Sequence, residues 1–230
     1  MSLLSRSPLA DLLFPNYCGG CARPGPLLCL NCHPRGELLQ VPVPGVRCFA
    51  AARYEGALRR ALLHYKERGR HDAAPALGHL LADAVQAAVT GIAGGFDELL
   101  LVPIPSARGA SRRRGGDHVR RLAESAARSL TVTSDGVAPP VVGLLALNRR
   151  VRDAAGLTRD ERAANLAGAM VVRAVADGAS RVLLVDDIVT TGATVVEAAR
   201  ALRDGGWTVP GAATVAATRP KAGIDRQTSG

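Results

Sequence analysis

One stretch of thirteen residues combines several kinds of chemistry: Val182-Leu183-Leu184-Val185-Asp186-Asp187-Ile188-Val189-Thr190-Thr191-Gly192-Ala193-Thr194. The four leading apolar residues read as a buried strand. Two acids stand at its C-terminal end, and a small polar loop leads directly into a helix. In open α/β sheets, ligands bind outside the C-terminal ends of strands. The first turn of a helix presents unpaired N–H groups to a phosphate, and nearby hydroxyls add donors. Adjacent carboxylates repel a phosphate but accept hydrogen bonds from hydroxyls. A ligand that suits both halves is a ribose 5-phosphate unit. Its vicinal hydroxyls would meet Asp186 and Asp187, and its phosphate would sit in the loop of Thr190, Thr191, Gly192, Ala193 and Thr194. Gly192 has no side chain to hinder a close approach of the backbone.

A second cluster is built from cysteine. Cys18 and Cys21 form one C-x2-C pair, and Cys29 and Cys32 form another seven residues later. Two such knuckles can place four thiolates tetrahedrally around zinc, which makes a closed structural site. Gly19, Gly20 and Gly25 permit the tight turns this requires. His33 adjoins Cys32 as a competing ligand, but four thiolates already complete the shell. Cys48 stands apart as an unpaired thiol.

The elements that must position these groups follow an alternating pattern. Residues 55–68 and 75–89 read as helices, the second with Leu77, Leu80, Leu81, Ala84, Val85 and Ala88 on one stripe. Leu99-Leu100-Leu101-Val102 is a short buried strand stopped by Pro103. A basic loop, 106–116, follows. Asp117 is an N-cap for a helix over 119–130. Strands are expected around 141–146, 169–173, 181–185 and within 207–218, and a helix over 193–203. Residues 149–165 are polar and charged, and read as loop or lid. Strands alternating with helices predict an α/β domain with a mostly parallel sheet flanked by helices. The domains expected are a cysteine module over 1–45, the α/β domain over 46–221, and a disordered polar tail over 222–230.

Composition agrees and excludes some classes. Apolar residues make up 47% of the 230 residues but aromatics only 3%, so the core must be Ala, Val and Leu. The net charge of +9 suits polyanionic ligands without choosing among them. No run is long enough to span a membrane. The segment Leu9-Ala10-Asp11-Leu12-Leu13-Phe14 is too short and too acidic for a signal-peptide core. A cytoplasmic protein is expected, with no membrane partner.

The thirteen-residue segment resembles the phosphoribosyl pyrophosphate (PRPP) signature of the type I phosphoribosyltransferases. Several further segments resemble the ComF family of competence-associated phosphoribosyltransferase-like proteins. They are Leu13-Phe14-Pro15 before the cysteines, Val102-Pro103-Ile104-Pro105 before the basic loop, and Leu157-Thr158-Arg159-Asp160-Glu161-Arg162-Ala163-Ala164-Asn165-Leu166-Ala167-Gly168. The resemblance implies the type I phosphoribosyltransferase fold with a small zinc module. It also implies transfer of phosphoribose from PRPP to an acceptor, with magnesium carried on the phosphates. Asp186 and Asp187 would then be the catalytic pair on the ribose hydroxyls. Pro103, Ile104 and Pro105, with Arg108 and Arg112, would hold pyrophosphate. Lys66 is either a further pyrophosphate ligand or a complement to its own helix C-terminus. The family continues its basic loop with Arg-Gly-Phe-Asn-Gln, where this chain has Arg114-Gly115-Gly116-Asp117-His118. The 6-oxopurine branch carries Asp where Thr190 stands, so a hypoxanthine or guanine acceptor is disfavoured. The alternative implied by the resemblance is a DNA-handling factor that binds single-stranded DNA or a competence helicase, with PRPP as a regulatory ligand. The aromatic residues that stack single strands are scarce. The oligomeric state is left open, a homodimer included.

Overall fold

The computed structural model describes residues 17–34, 37–92, 94–96, 99–105, 117–133, 138–148, 159–176 and 181–219. In chain order its elements are β1 (Leu39–Val43), β2 (Val46–Arg53), α1 (Gly56–Glu67), a 3-10 turn (His71–Ala73), α2 (Ala74–Val89), β3 (Leu99–Pro103), α3 (His118–Thr133), β4 (Leu145–Leu147), α4 (Arg159–Leu166), β5 (Met170–Val172), β6 (Arg181–Val189), α5 (Ala193–Asp204) and β7 (Thr208–Ala217).

Five strands form the central sheet in the order β1-β2-β7-β6-β3. Strands β2, β7, β6 and β3 are parallel, and β1 returns antiparallel on the edge. Side chains alternate across a strand, so β6 feeds two cores. Leu183 and Val185 pack under α1, α2 and α3. Val182 and Leu184 pack against α5 and the antiparallel β4–β5 pair. Both cores are mostly Leu, Val and Ala, as the scarcity of aromatics requires, with Tyr65 in one and Trp207 in the other. The apolar stripe anticipated on 75–89 is the buried face of α2. Glu197 of α5 ties this pair down by accepting from Met170 N–H at 3.0 Å. Among the described residues, no helix is long and apolar enough to cross a membrane.

Two differences from the sequence reading matter for the site. The edge hairpin β1–β2 was not anticipated, because Leu39-Gln40-Val41-Pro42-Val43 is short, carries a proline and precedes an alanine-rich run with little alternation. Strand β6 runs on to Val189, past the expected stop at 185. A third difference is local. The polar stretch read as loop or lid contains helix α4. The basic loop with Arg108 and Arg112, and the C-terminal tail, lie outside the described residues.

Candidate functional site

Chain connections leave β3 and β6 on opposite faces of the sheet. β3 leads to α3 over one core, and β6 leads to α5 over the other. Adjacent parallel strands whose connections diverge in this way open a crevice at their C-terminal ends. The β3–β6 ladder stops at Pro103 opposite Val185, while β6 continues along β7 to Val189 opposite Ala217. Asp186 and Asp187 therefore stand immediately beyond the end of β3. Ile104 N–H donates to Val185 O at 2.9 Å. Pro103 and Pro105 have no N–H. The segment 103–105 thus ends the strand and offers no backbone donor of its own to an anion.

The two acids alternate across β6 and meet different surroundings. Asp187 turns to the α1–α3 side, with its side chain 5% exposed. Its Oδ2 accepts from Lys66 Nζ at 2.8 Å and from His118 Nε2 at 3.1 Å. Burial alone would raise the carboxyl, but the His118 hydrogen bond and the Lys66 ammonium outweigh it. Asp187 is held below the ordinary carboxylate range. Asp186 is half-buried, and its Oδ1 accepts from Asp187 N–H at 2.8 Å. Burial, then the charge of Asp187, push it well above the ordinary range. On the same side, the buried Cys48 thiol is pushed up to about 12, by burial and by Asp186. The pair thus holds one secure negative charge and discourages a second.

Lys66 lies in the last turn of α1 and reaches Asp187 from there. His118 is the first residue of α3, where Asp117 Oδ1 caps Arg120 N–H at 3.1 Å as the sequence anticipated. Tyr65 OH donates to His118 O at 2.9 Å. Burial pushes the Tyr65 phenol up to about 12, so it remains a donor. The Tyr65 ring stands edge-on between the rings of His118 and His71, at 6.4 and 6.0 Å. Arg121 pairs with His71 Nδ1 at 3.1 Å. Burial, then the Arg121 charge, lower His71 below its ordinary value. Sequence reasoning missed His118 and Tyr65 as members of this site. The available signal was helical spacing: His118 shares a stripe with Leu122 and Ala126, which are both buried.

The loop after β6 is shaped by one glycine. Gly192 has φ +78°, the left-handed conformation, and acts as the N-cap of α5. A Cβ there would lie 3.0 Å from Val43 Cγ2 on β1. The edge hairpin therefore supports the loop from behind. Val196 N–H to Gly192 O is the first intrahelical bond of α5. The N–H groups before it have no helical acceptor, and Ala193 N–H contacts only Thr191 Oγ1, at 3.4 Å. Thr190 is exposed, while Thr191, Ala193 and Thr194 are half-buried.

The cysteine module gathers its four residues as the spacing predicted. The sulfurs of Cys18, Cys21, Cys29 and Cys32 lie within 4.8 Å of one another, and Cys21 and Cys29 are 3.7 Å apart. Zinc–sulfur bonds of about 2.3 Å give a tetrahedral edge of about 3.8 Å, so the donor set fits zinc. Gly20 is obligatory here, since a Cβ would lie 2.7 Å from Ala57 Cβ of α1. Arg60 of α1 donates to Gly19 O through Nε, and to Gly20 O through Nη2 at 3.0 Å. Leu27 and Leu28 bury the module against the α1–α3 core. Burial opposes ionising Cys18, but N–H groups of Cys21, Cys29 and Gly20 bring the thiol down to about 6. Burial and the sharing of protons with the other sulfurs push Cys32 up to about 12. The ring of His33 contacts Pro34 O at 3.0 Å and is not part of the sulfur cluster. The chain matches no protein-family model and no curated protein.

Proposed function

We propose that this protein is a PRPP-binding phosphoribosyltransferase of the type I fold, with a structural zinc module. The observation that carries the reading is the juxtaposition at the end of β6. Two carboxylates in contrasting surroundings are followed directly by a glycine-capped helix N-terminus, at a divergence of chain connections. The ribose hydroxyls would donate to Asp186 and Asp187, and the 5-phosphate would take the N–H groups and hydroxyls of Thr190–Thr194. Lys66 stands where a phosphate oxygen could draw it from Asp187. Magnesium would enter bound to the phosphates of PRPP and neutralise the leaving group.

In the transfer, a nucleophilic nitrogen of the acceptor forms a bond to C1 of the ribose. The bond from C1 to the pyrophosphate oxygen breaks, and pyrophosphate leaves with the electron pair. The acceptor's proton passes to solvent. The protein's contribution is positioning and electrostatic stabilisation rather than a covalent intermediate. Pyrophosphate release, measured with magnesium-PRPP across a panel of nitrogenous bases, tests this. Release that depends on one base and is lost in Asp187→Asn supports the transferase. Tight PRPP binding without release for any base leaves a PRPP-responsive binding protein instead.

A second reading concerns the zinc module. Leu30 is 89% exposed and Tyr17 is 51% exposed, two apolar side chains suited to docking a helicase-type partner or stacking on single-stranded DNA. Its weakness for DNA is the lack of further exposed aromatics among the described residues. Salt-dependent binding of an oligonucleotide that is lost in Tyr17→Ser would favour the DNA form of this reading.

A further inference from the structure

We propose that His118 is a positioning residue for Asp187: it occupies Oδ2 and so leaves Oδ1 as the atom that receives a ribose hydroxyl. The proposal rests on the ribose reading of the site given above. It starts from an anomaly. His118 is 1% exposed, and its Nδ1 is the one buried side-chain nitrogen or oxygen without a hydrogen-bond partner among the described residues. An unpaired polar atom in a core is costly, and a leucine of similar size would avoid the cost. The ring's polar contact is made at the other nitrogen, to Asp187.

The chemistry of that contact sets the tautomer. An ionised carboxylate only accepts hydrogen bonds, so His118 must carry its proton on Nε2. In the neutral ring that leaves Nδ1 as a lone pair, which fits its lack of a partner. The ring is held from both ends. Its main-chain oxygen is bonded by Tyr65, and the Asp117 cap holds the helix start. Lys66 donates to the same Oδ2 from a side chain that is 29% exposed and long. A flexible ammonium neutralises the carboxylate but does not set its rotation, whereas a packed imidazole does. Both of these donors meet Oδ2 rather than Oδ1. The other charged or titratable groups around the ring are Tyr65 and His71 beside it, and Arg121 one turn along α3.

The test uses the full zinc-loaded chain and two readouts. The first is ring-nitrogen NMR of isotopically labelled histidine in the ligand-free protein. The proposal requires the Nε2–H form, and an Nδ1–H form overturns it. The second is titration with magnesium-PRPP for wild type, His118→Leu and His118→Gln. Loss of one charge-assisted hydrogen bond predicts at least about tenfold weaker binding for His118→Leu. Glutamine restores a donor, so His118→Gln should stay within about threefold of wild type. Wild-type affinity in His118→Leu, or equal losses in both variants, overturns the positioning role while PRPP binding stands. Failure of wild type to bind overturns the PRPP reading and the ligand assigned to Oδ1. If His118→Leu does not fold, the tautomer and His118→Gln still decide the matter.

Discussion

The cysteine module and the acidic site gather negative donors in opposite ways. The four sulfurs come from one short segment, Cys18 to Cys32, and their proximity leaves thiols that share protons and lower or raise one another. That set is spaced to be completed by a cation from outside. The acidic site draws on α1, α3 and β6, with His118 and Asp187 separated by 69 positions in the chain. Its secure charge is already balanced by Lys66 and hydrogen-bonded by His118, which belong to the fold. A metal stabilises the first region by binding, whereas a ligand must renegotiate contacts that already stabilise the second. On the proposed reading, the module is a structural element and the acidic pair a site of exchange.

Removing the metal should have the largest effect. Structural zinc contributes about 10–16 kcal/mol in isolated finger peptides, and here Leu27 and Leu28 couple the module to the core. Chelation, or Cys32→Ser, should lower the melting temperature by about 10 °C or more, since each kcal/mol is worth a few degrees in a chain of this size. Metal content and thermal denaturation measured together check this. An unchanged melting temperature in metal-free protein would make the two regions alike.

Asp187→Ala should rank next, at about 2–3 kcal/mol in denaturant titration. It strands His118 in the core, and the partial exposure of Lys66 moderates the loss of its ion pair. The sign with pH follows from the lowered carboxyl of Asp187. Its contribution is present above the unfolded value of about 4 and is lost as pH falls through the depressed folded value. The gap between wild type and variant should therefore close in acid.

Gly192→Ala should cost about 1–2 kcal/mol, because a left-handed residue acquires a side chain. That side chain also meets Val43, so adding Val43→Ala should recover part of the loss and show the edge hairpin supporting the loop.

Asp186→Asn has the smallest effect and the opposite sign. The raised folded value means that wild type loses stability as pH rises through it. The amide keeps the acceptor for Asp187 N–H and carries no charge. The variant should be more stable than wild type by up to about 1 kcal/mol at neutral pH, with no gain below about pH 4. Its weakened PRPP binding would separate function from stability at this position.

Legibility in the sequence tracked how local each feature is. The thiolate cluster follows from spacing alone, since two knuckles close over a few residues. The strand-acid-loop-helix order of 182–194 was also readable, because each part is adjacent to the next. Which face each acid would take was hidden. It depends on β6 continuing to Val189 along β7, and the ladder partner that holds it there lies in another segment. Lys66 was ambiguous for the same reason: a lysine in a last helical turn suits its own helix dipole, and only the packing of α1 over the sheet brings its ammonium to Asp187. His118 carried a helical-stripe signal, but its partner is a residue no local pattern links to it. The support of Gly192 by Val43 required the hairpin, whose proline and short length masked it.

The most direct test of the central claim is a thermal shift of zinc-loaded protein with and without magnesium-PRPP, for wild type and for Asp186→Ala/Asp187→Ala. At a ligand concentration of about 100 times the dissociation constant, linkage gives roughly 2.7 kcal/mol of stabilisation. The account predicts a shift of that size in wild type and none in the double variant. A well-folded wild type that does not shift, or a double variant that shifts equally, would contradict it.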